Sequence, residues 1–201
     1  RRYPGLRPGR CLSLYAALVD SVVKQRIALR AALRVYSRLV QRYGARVEAA
    51  GETFYWHPLP ERLADEDPAR LRELGLTRVK ARALVEVARA EVEGRLPGLE
   101  EALRDPESTV EGLTNLYGVG EWTAQLALAM VAPDFPLGPL GDLAVARGLA
   151  LVVGADRGRE LARRVVEGLP GLGGLVLYLA AFDYEGRRGG RGSPPRASRG
   201  T

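Results

Sequence analysis

The feature that most constrains this chain is a glycine-pinched turn, Gly118-Val119-Gly120, between two apolar segments with helical spacing. Trp122 and the Ala- and Leu-rich residues after it predict a helix to about residue 132. Two glycines around one apolar residue let the backbone bend tightly and approach a ligand closely. Amides at the start of a helix suit a phosphate oxygen, so the turn is a candidate phosphate site; a plain connection between helices is the alternative.

A second constraint is an aspartate that follows a loop rich in proline and glycine. Residues 133–141 lead to Asp142, which stands directly before the apolar run LAVARGLALVV. This arrangement is typical of a helix N-cap, whose carboxylate accepts backbone N–H groups. An ionised carboxylate beside a nucleic-acid groove can also stabilise a cationic sugar transition state or orient a water. The two roles are compatible, and the local pattern leaves both open.

The remaining patterns predict helices and no strand, because no segment alternates strongly between apolar and polar residues. Ser13 is a candidate N-cap for one long helix that ends at Tyr43, before Gly44, and residues 51–60 are predicted as a loop. Asp65 and Asp67 are candidate caps for one or two short helices over 60–76, and Thr77 is the candidate cap of the next helix. Further helices are predicted near 78–94, 98–104, 108–117, 142–153, 156–168 and 173–185.

Composition limits the chemistry that the chain can support. The net charge of +6 favours a polyanionic partner, although Arg187, Arg188, Arg191, Arg196 and Arg199 all lie near the end of the chain. The single cysteine, Cys11, excludes an internal disulfide and a four-cysteine cluster, and the single histidine, His57, excludes most histidine-based zinc and triad chemistry. No apolar run reaches the roughly 18 residues of a membrane span, so no membrane association is expected.

Three stretches, in order, resemble the helix-hairpin-helix DNA glycosylase superfamily. The pattern L-x-G-x-G-x-x-T-A begins at Leu116, and about twenty residues later the Gly/Pro loop delivers a helix-starting aspartate; GVGEWTAQ is similar to the 3-methyladenine DNA glycosylase II branch. PGLRPGRCLSLYAALVDSVVKQRIAL resembles the first core helix of that branch, and LPERLADEDPARLRELGLTRVKARAL resembles its middle segment. The resemblance covers about residues 3–186.

The resemblance implies an all-α, two-lobed fold with a cleft between the lobes. Residues of about 45–130 are expected to form one lobe, and residues 13–44 together with 135–186 the other. This glycosylase core is expected over residues 1–186, and the basic, low-complexity residues 187–201 are expected to be a disordered tail.

The same resemblance implies a set of site residues, with Asp142 as the catalytic one. The DNA contacts implied are Gly118, Val119, Gly120 and Thr123, with Gln25 and Arg26 in the segment that fills the gap left by an extruded base; the family usually has an apolar wedge where this chain has Arg26. The base pocket implied is Trp122, Leu126, Tyr178 and Phe182. Backbone carbonyls of Thr114, Leu116 and Val119 are expected to hold a Na⁺ or K⁺ ion.

The activity implied is hydrolytic removal of a damaged base, an alkylated purine in this branch, from double-stranded DNA. Trp122 stands where the glycosylase/lyase members carry a Schiff-base lysine, so no lyase activity is expected. No cofactor and no iron–sulfur cluster are expected, and the protein is expected to act as a cytoplasmic, nucleoid-associated monomer. The alternatives are a glycosylase of the same fold for uracil, hypoxanthine or 8-oxoguanine, and a non-catalytic DNA-binding module.

Overall fold

The computed structural model describes residues 11–132, 142–153, 158–169 and 173–189, and these residues are mostly helical. The predicted helical class is therefore confirmed. The loop 133–141, the lead-in 1–10 and the tail beyond residue 189 lie outside the described residues. The elements, in chain order, are α1 (Leu14–Lys24), α2 (Leu29–Tyr43), β1 (Gly44–Ala49), β2 (Glu52–Pro58), α3 (Pro60–Ala64), α4 (Pro68–Arg72), α5 (Arg78–Val92), α6 (Leu99–Arg104), α7 (Pro106–Thr114), α8 (Glu121–Val131), α9 (Leu143–Val153), α10 (Gly158–Gly168) and α11 (Gly173–Gly189).

Side-chain caps begin several of these helices where the sequence predicts them. The Ser13 hydroxyl accepts from the amide of Ala16, and the Thr77 hydroxyl accepts from the amide of Lys80. Asp67 caps α4 in the same way, whereas Asp65 is the C-cap of α3, where its backbone amide donates to the Leu63 carbonyl. The helix predicted from Ser108 or Thr109 begins earlier, at Pro106, because the Asp105 carboxylate accepts from the Ser108 amide.

The long helix predicted from residue 13 to Tyr43 is two helices. The chain leaves α1 at Gln25, and Arg26 has φ +52, in the left-handed region that interrupts a right-handed helix. No glycine or proline marks this break. Contacts with distant parts of the chain hold it, and they are described with the site below.

The prediction of no strand was wrong for residues 44–58. β1 and β2 pair antiparallel through a turn at Ala50 and Gly51, with φ +53 and +79. Phe54, Tyr55 and Trp56 are all exposed, so both faces of this hairpin meet solvent over much of its length. Apolar–polar alternation reports a strand with one buried face, and a hairpin exposed on both sides lacks that signal.

Among the described residues, the larger apolar core is formed by helices α1 to α8. Leu18, Leu39, Leu84 and Leu128 are fully buried in it. Among the described residues, α1 shares this core with residues 63–131, and the grouping of residues 13–44 with 135–186 stays a prediction. The lobe boundaries themselves stay a prediction.

A second, smaller core joins the three C-terminal helices. Its buried members are Val145 and Leu149 on α9, Ala162 on α10 and Ala180 on α11. α11 continues to Gly189, past the predicted end at residue 185, so the first residues assigned to the tail are helical.

Gly148 allows α9 to cross α11 at very short range. A Cβ atom at this position would stand 2.0 Å from the carbonyl oxygen of Ala180. We expect Gly148→Ala to lower the free energy of unfolding by about 1–3 kcal/mol, because the helices must separate to admit the methyl group. Thermal melting checks this, with Gly186→Ala on α11 as the control: no atom lies within 4 Å of that added Cβ. A melting midpoint for Gly148→Ala equal to that of the parent contradicts the prediction.

Candidate nucleic-acid interface and catalytic carboxylate

The turn between α7 and α8 is shaped by two buried apolar side chains and one glycine. Leu116 and Val119 are 8% and 4% exposed, so they anchor the turn in the larger core. Gly118 has φ +76, and a Cβ there would lie 2.7 Å from the Cβ of Ala83 on α5. The turn is therefore pressed onto α5 at a position that only glycine fills without strain.

The free amides of this turn are not all those expected from the sequence. The Val119 amide donates to the Leu116 carbonyl at 3.1 Å, which removes it from the set available to a ligand. Among the described hydrogen bonds, the amides of Gly120, Glu121 and Trp122 have no acceptor, as is usual at a helix start. The amides of Gly120, Glu121 and Trp122 are therefore candidates for binding an anion, whereas Val119 is the buried anchor of the turn.

Gln25 ties the end of α1 to the back of this turn. Its side-chain amide lies 2.9 Å from both the Gly118 carbonyl and the Thr123 hydroxyl, and both accept from it. Thr123 is only 3% exposed. The Thr123 hydroxyl and the Gln25 side-chain amide therefore support the turn from behind. The DNA contacts expected of Thr123 and Gln25 stay a prediction.

Arg26 stands next to this anchor and is exposed. A non-glycine residue at φ +52 carries strain of about 1–2 kcal/mol, which the neighbouring contacts must offset. One of them is a buried lysine that the sequence did not single out: the Lys80 ammonium donates to the Val23 carbonyl at 2.9 Å. Burial lowers the pKa of Lys80. The end of α1 is thus held on two sides, while the Arg26 side chain is exposed to solvent.

Asp142 is held by three hydrogen bonds from two elements. Its Oδ1 accepts from the amides of Ala144 and Val145 at 2.7 and 3.0 Å, which is the predicted cap of α9. Its Oδ2 accepts from the indole Nε1 of Trp122 on α8, at 3.0 Å. The structure therefore brings together the two residues predicted as catalyst and pocket wall. Each carboxylate oxygen has two acceptor sites, so Oδ2 retains one for another group.

The other pocket residues are only partly connected to this pair. Leu126 is partly buried on α8, one turn beyond Trp122. Tyr178 and Phe182 stack on each other on α11, with ring centroids 6.2 Å apart and planes 25° from parallel. α11 packs against α9, the helix that begins next to Asp142. A pocket that joins Tyr178 and Phe182 to Trp122 stays a prediction.

His57 is a structural contact and not part of this site. Its Nδ1 pairs with the Tyr36 hydroxyl, which links β2 to α2, and burial lowers the pKa of the imidazole. Within the described residues, no group of three or more His, Cys, Asp or Glu side chains is arranged to hold a metal ion. In the same part of the chain, the helices are all too short or too polar to cross a membrane.

An anchored turn between two helices, with a fixed carboxylate beside the second helix, defines a helix-hairpin-helix protein with a candidate hydrolytic site. The family model described as "HhH-GPD superfamily base excision DNA repair protein" matches residues 19–170. The chain belongs to this superfamily.

Individual relatives agree with this assignment. The chain is 34% identical over 121 residues to DNA-3-methyladenine glycosylase 2 of Escherichia coli K12, across 60% of this chain and 42% of that protein. It is 28% identical over 146 residues to DNA-3-methyladenine glycosylase 1 of Schizosaccharomyces pombe, across 71% of this chain and 60% of that protein. The solved 3-methyladenine DNA glycosylase of Archaeoglobus fulgidus superposes with a TM-score of 0.71 at 29% identity, over 88% of this chain and 60% of that chain. The chain thus spans about half the length of these relatives.

Proposed function

We propose that this protein is a monofunctional DNA glycosylase that hydrolyses the N-glycosidic bond of alkylated purines flipped out of duplex DNA. The observation that carries the proposal is the 3.0 Å hydrogen bond from Trp122 to Asp142, which joins an aromatic surface for a base to an anchored carboxylate. The three relatives named above are 3-methyladenine DNA glycosylases, which supports the choice of lesion. Action at the nucleoid as a monomer is part of the proposal.

Asp142 serves this reaction as a fixed negative charge. When the glycosidic bond breaks, positive charge develops on the sugar, and a carboxylate that cannot turn away stabilises it without reorganisation. The Oδ2 atom of Asp142, which keeps one acceptor site, can also orient the attacking water. An alkylated purine is already cationic and leaves readily, so the reaction needs no strong general acid. This agrees with a chain whose single histidine is engaged with Tyr36.

The lysines of this chain do not suit a lyase. A Schiff base needs an amine that reaches the sugar. Lys80 is buried with its ammonium on the Val23 carbonyl, and Lys24 pairs with Asp20 one helical turn away. Trp122 stands at the position where lyase members of the family carry a lysine.

DNA binding is assigned to the turn and to Arg26. The amides from Gly120 onward would bind a backbone phosphate, which positions the duplex without reading its sequence. Arg26 would enter the gap that the flipped base leaves, where a guanidinium can stack on the neighbouring bases. The hydrogen bonds from Gln25 to Gly118 and Thr123 hold Arg26 at a fixed distance from the turn.

A monovalent cation at the turn is also part of the proposal. The carbonyl of Leu116 accepts one hydrogen bond, from Val119, and keeps a second acceptor site. Neutral carbonyl oxygens such as those of Thr114, Leu116 and Val119 fit a Na⁺ or K⁺ ion. Such an ion would add positive charge behind the phosphate-binding amides.

The proposal is tested with duplexes that each contain one defined lesion, covering alkylated purines, uracil, hypoxanthine and 8-oxoguanine. We expect strand breaks at alkylated purines only after alkali, because excision leaves an intact abasic strand. Breaks without alkali would contradict the monofunctional assignment, and excision confined to another lesion would support a different glycosylase of this fold. Binding without excision of any lesion would leave a DNA-binding module.

A further inference from the structure

Besides Arg26, a second positively charged side chain lies beside the turn, and the site described above does not use it. The guanidinium carbon of Arg82, on α5, lies 4.1 Å from the centroid of the Tyr117 ring. Tyr117 immediately precedes Gly118 and is 40% exposed, and Arg82 is exposed as well. The packing of Gly118 on Ala83, the residue after Arg82, keeps this pair next to the turn.

Arg82 is not part of an ion pair in the described residues, although carboxylates lie near it in the chain. Glu86, one helical turn along α5, pairs with Arg95 at 3.3 Å. Glu121, at the start of α8, accepts a hydrogen bond from Gln125. The aromatic ring is therefore the contact that holds Arg82, and its charge is not neutralised by the protein.

The hydrogen-bonding groups of Arg82 are unused within the described residues. Its guanidinium carbon lies over the Tyr117 ring, and none of its five N–H donors has an acceptor in that part of the chain. Such a group, held in place and not neutralised, is suited to a phosphate oxygen, which prefers paired N–H donors. A structural arginine would instead be expected to direct these donors to a carbonyl or a carboxylate of the protein.

We infer that Arg82, held on the Tyr117 ring, is a second phosphate contact that flanks the turn. It binds the DNA backbone next to the phosphate held by the amides from Gly120 onward, and it does so regardless of sequence or lesion. The inference rests on the proposed function, because it requires that DNA lies across the turn.

The test is the salt dependence of binding to an undamaged duplex. Each phosphate contact changes the slope of log K against log salt by about 0.9, so Arg82→Gln should reduce the slope by about one and weaken binding about eightfold at 0.1 M salt. Arg72→Gln, which removes one exposed charge from α4, is the matched control and should leave the slope unchanged. Tyr117→Phe keeps the ring and should bind like the parent, whereas Tyr117→Leu should weaken binding while the melting midpoint stays constant.

An unchanged slope in Arg82→Gln, or an equal loss in Arg72→Gln, would overturn the inference. Excision of alkylated purines is scored separately on the parent protein. If the parent protein binds duplex but excises no base, only the proposed activity is contradicted. The salt dependence of duplex binding then still tests the Arg82 contact. A parent that binds no duplex overturns both.

Discussion

Asp142→Asn is expected to slow base excision by roughly 10²-fold or more, the usual scale for the loss of one electrostatic stabiliser of a transition state. The substitution keeps the size of the side chain and removes its charge. DNA affinity should hold or rise slightly, because a negative charge near phosphates is lost. The measurement is single-turnover excision from a duplex with one alkylated purine, together with binding to the same duplex.

The structure also predicts a loss of stability in this variant. Asp142 accepts from Trp122 on one oxygen and from the amides of Ala144 and Val145 on the other. Asparagine has one acceptor oxygen and one donor amide, so either orientation sets a donor against a donor. We expect the free energy of unfolding to fall by about 1–3 kcal/mol, the range for one unsatisfied polar group. The near-equivalence of Asp and Asn as caps would by itself predict a smaller change.

A double variant separates the charge from the fold. Trp122→Phe removes the indole donor and keeps an aromatic face, so Asp142→Asn combined with Trp122→Phe should recover part of the lost stability. Excision should stay as low as in Asp142→Asn alone. A folded Asp142→Asn protein with full excision would show that this carboxylate is only a cap.

Gly118→Ala is expected to have the second large effect, and it should act through the fold of the turn. The φ of +76 disfavours alanine by about 1–2 kcal/mol, and the added methyl group would press on Ala83. We expect the free energy of unfolding to fall by roughly 2 kcal/mol, with weaker binding to damaged and undamaged duplex alike. Thermal melting measures the loss of stability, and binding to damaged and undamaged duplex measures the loss of affinity.

Gly120→Ala is the matched control, because it changes the surface of the turn without straining it. Gly120 has an extended backbone, with φ −98 and ψ 173, and no atom lies within 4 Å of the added Cβ. Its melting midpoint should match that of the parent. Duplex affinity should fall by up to about tenfold if the methyl group blocks one hydrogen bond from an amide to a phosphate. Unchanged affinity in both variants would mean that the turn is only a connection between helices.

Elements whose signals are local could be predicted from the sequence. Ser13 and Thr77 cap the helices expected of them, and the helical ranges from α5 to α10 lie close to the predicted ones. The hairpin of β1 and β2 could not be predicted in this way, because both of its faces are exposed and neither imposes alternation on the sequence. Its aromatic residues, Phe54, Tyr55 and Trp56, are of the types that are enriched in strands.

The site likewise has features that follow from the local sequence and features that depend on tertiary contacts. Asp142 as the cap of α9 and the glycine turn before α8 follow from residues within a few positions of each other, so the sequence by itself determined them. Tertiary structure alone decided that α1 ends at Gln25, because the contacts that hold it are distant in sequence. Lys80 is 57 residues from its acceptor, and Gly118 and Thr123 are 93 and 98 residues from Gln25. Tertiary structure also decided that Trp122 donates to Asp142 and that Arg82 lies on Tyr117. Such contacts depend on how helices pack, and no local pattern of residues records which side chains packing will bring within hydrogen-bonding distance.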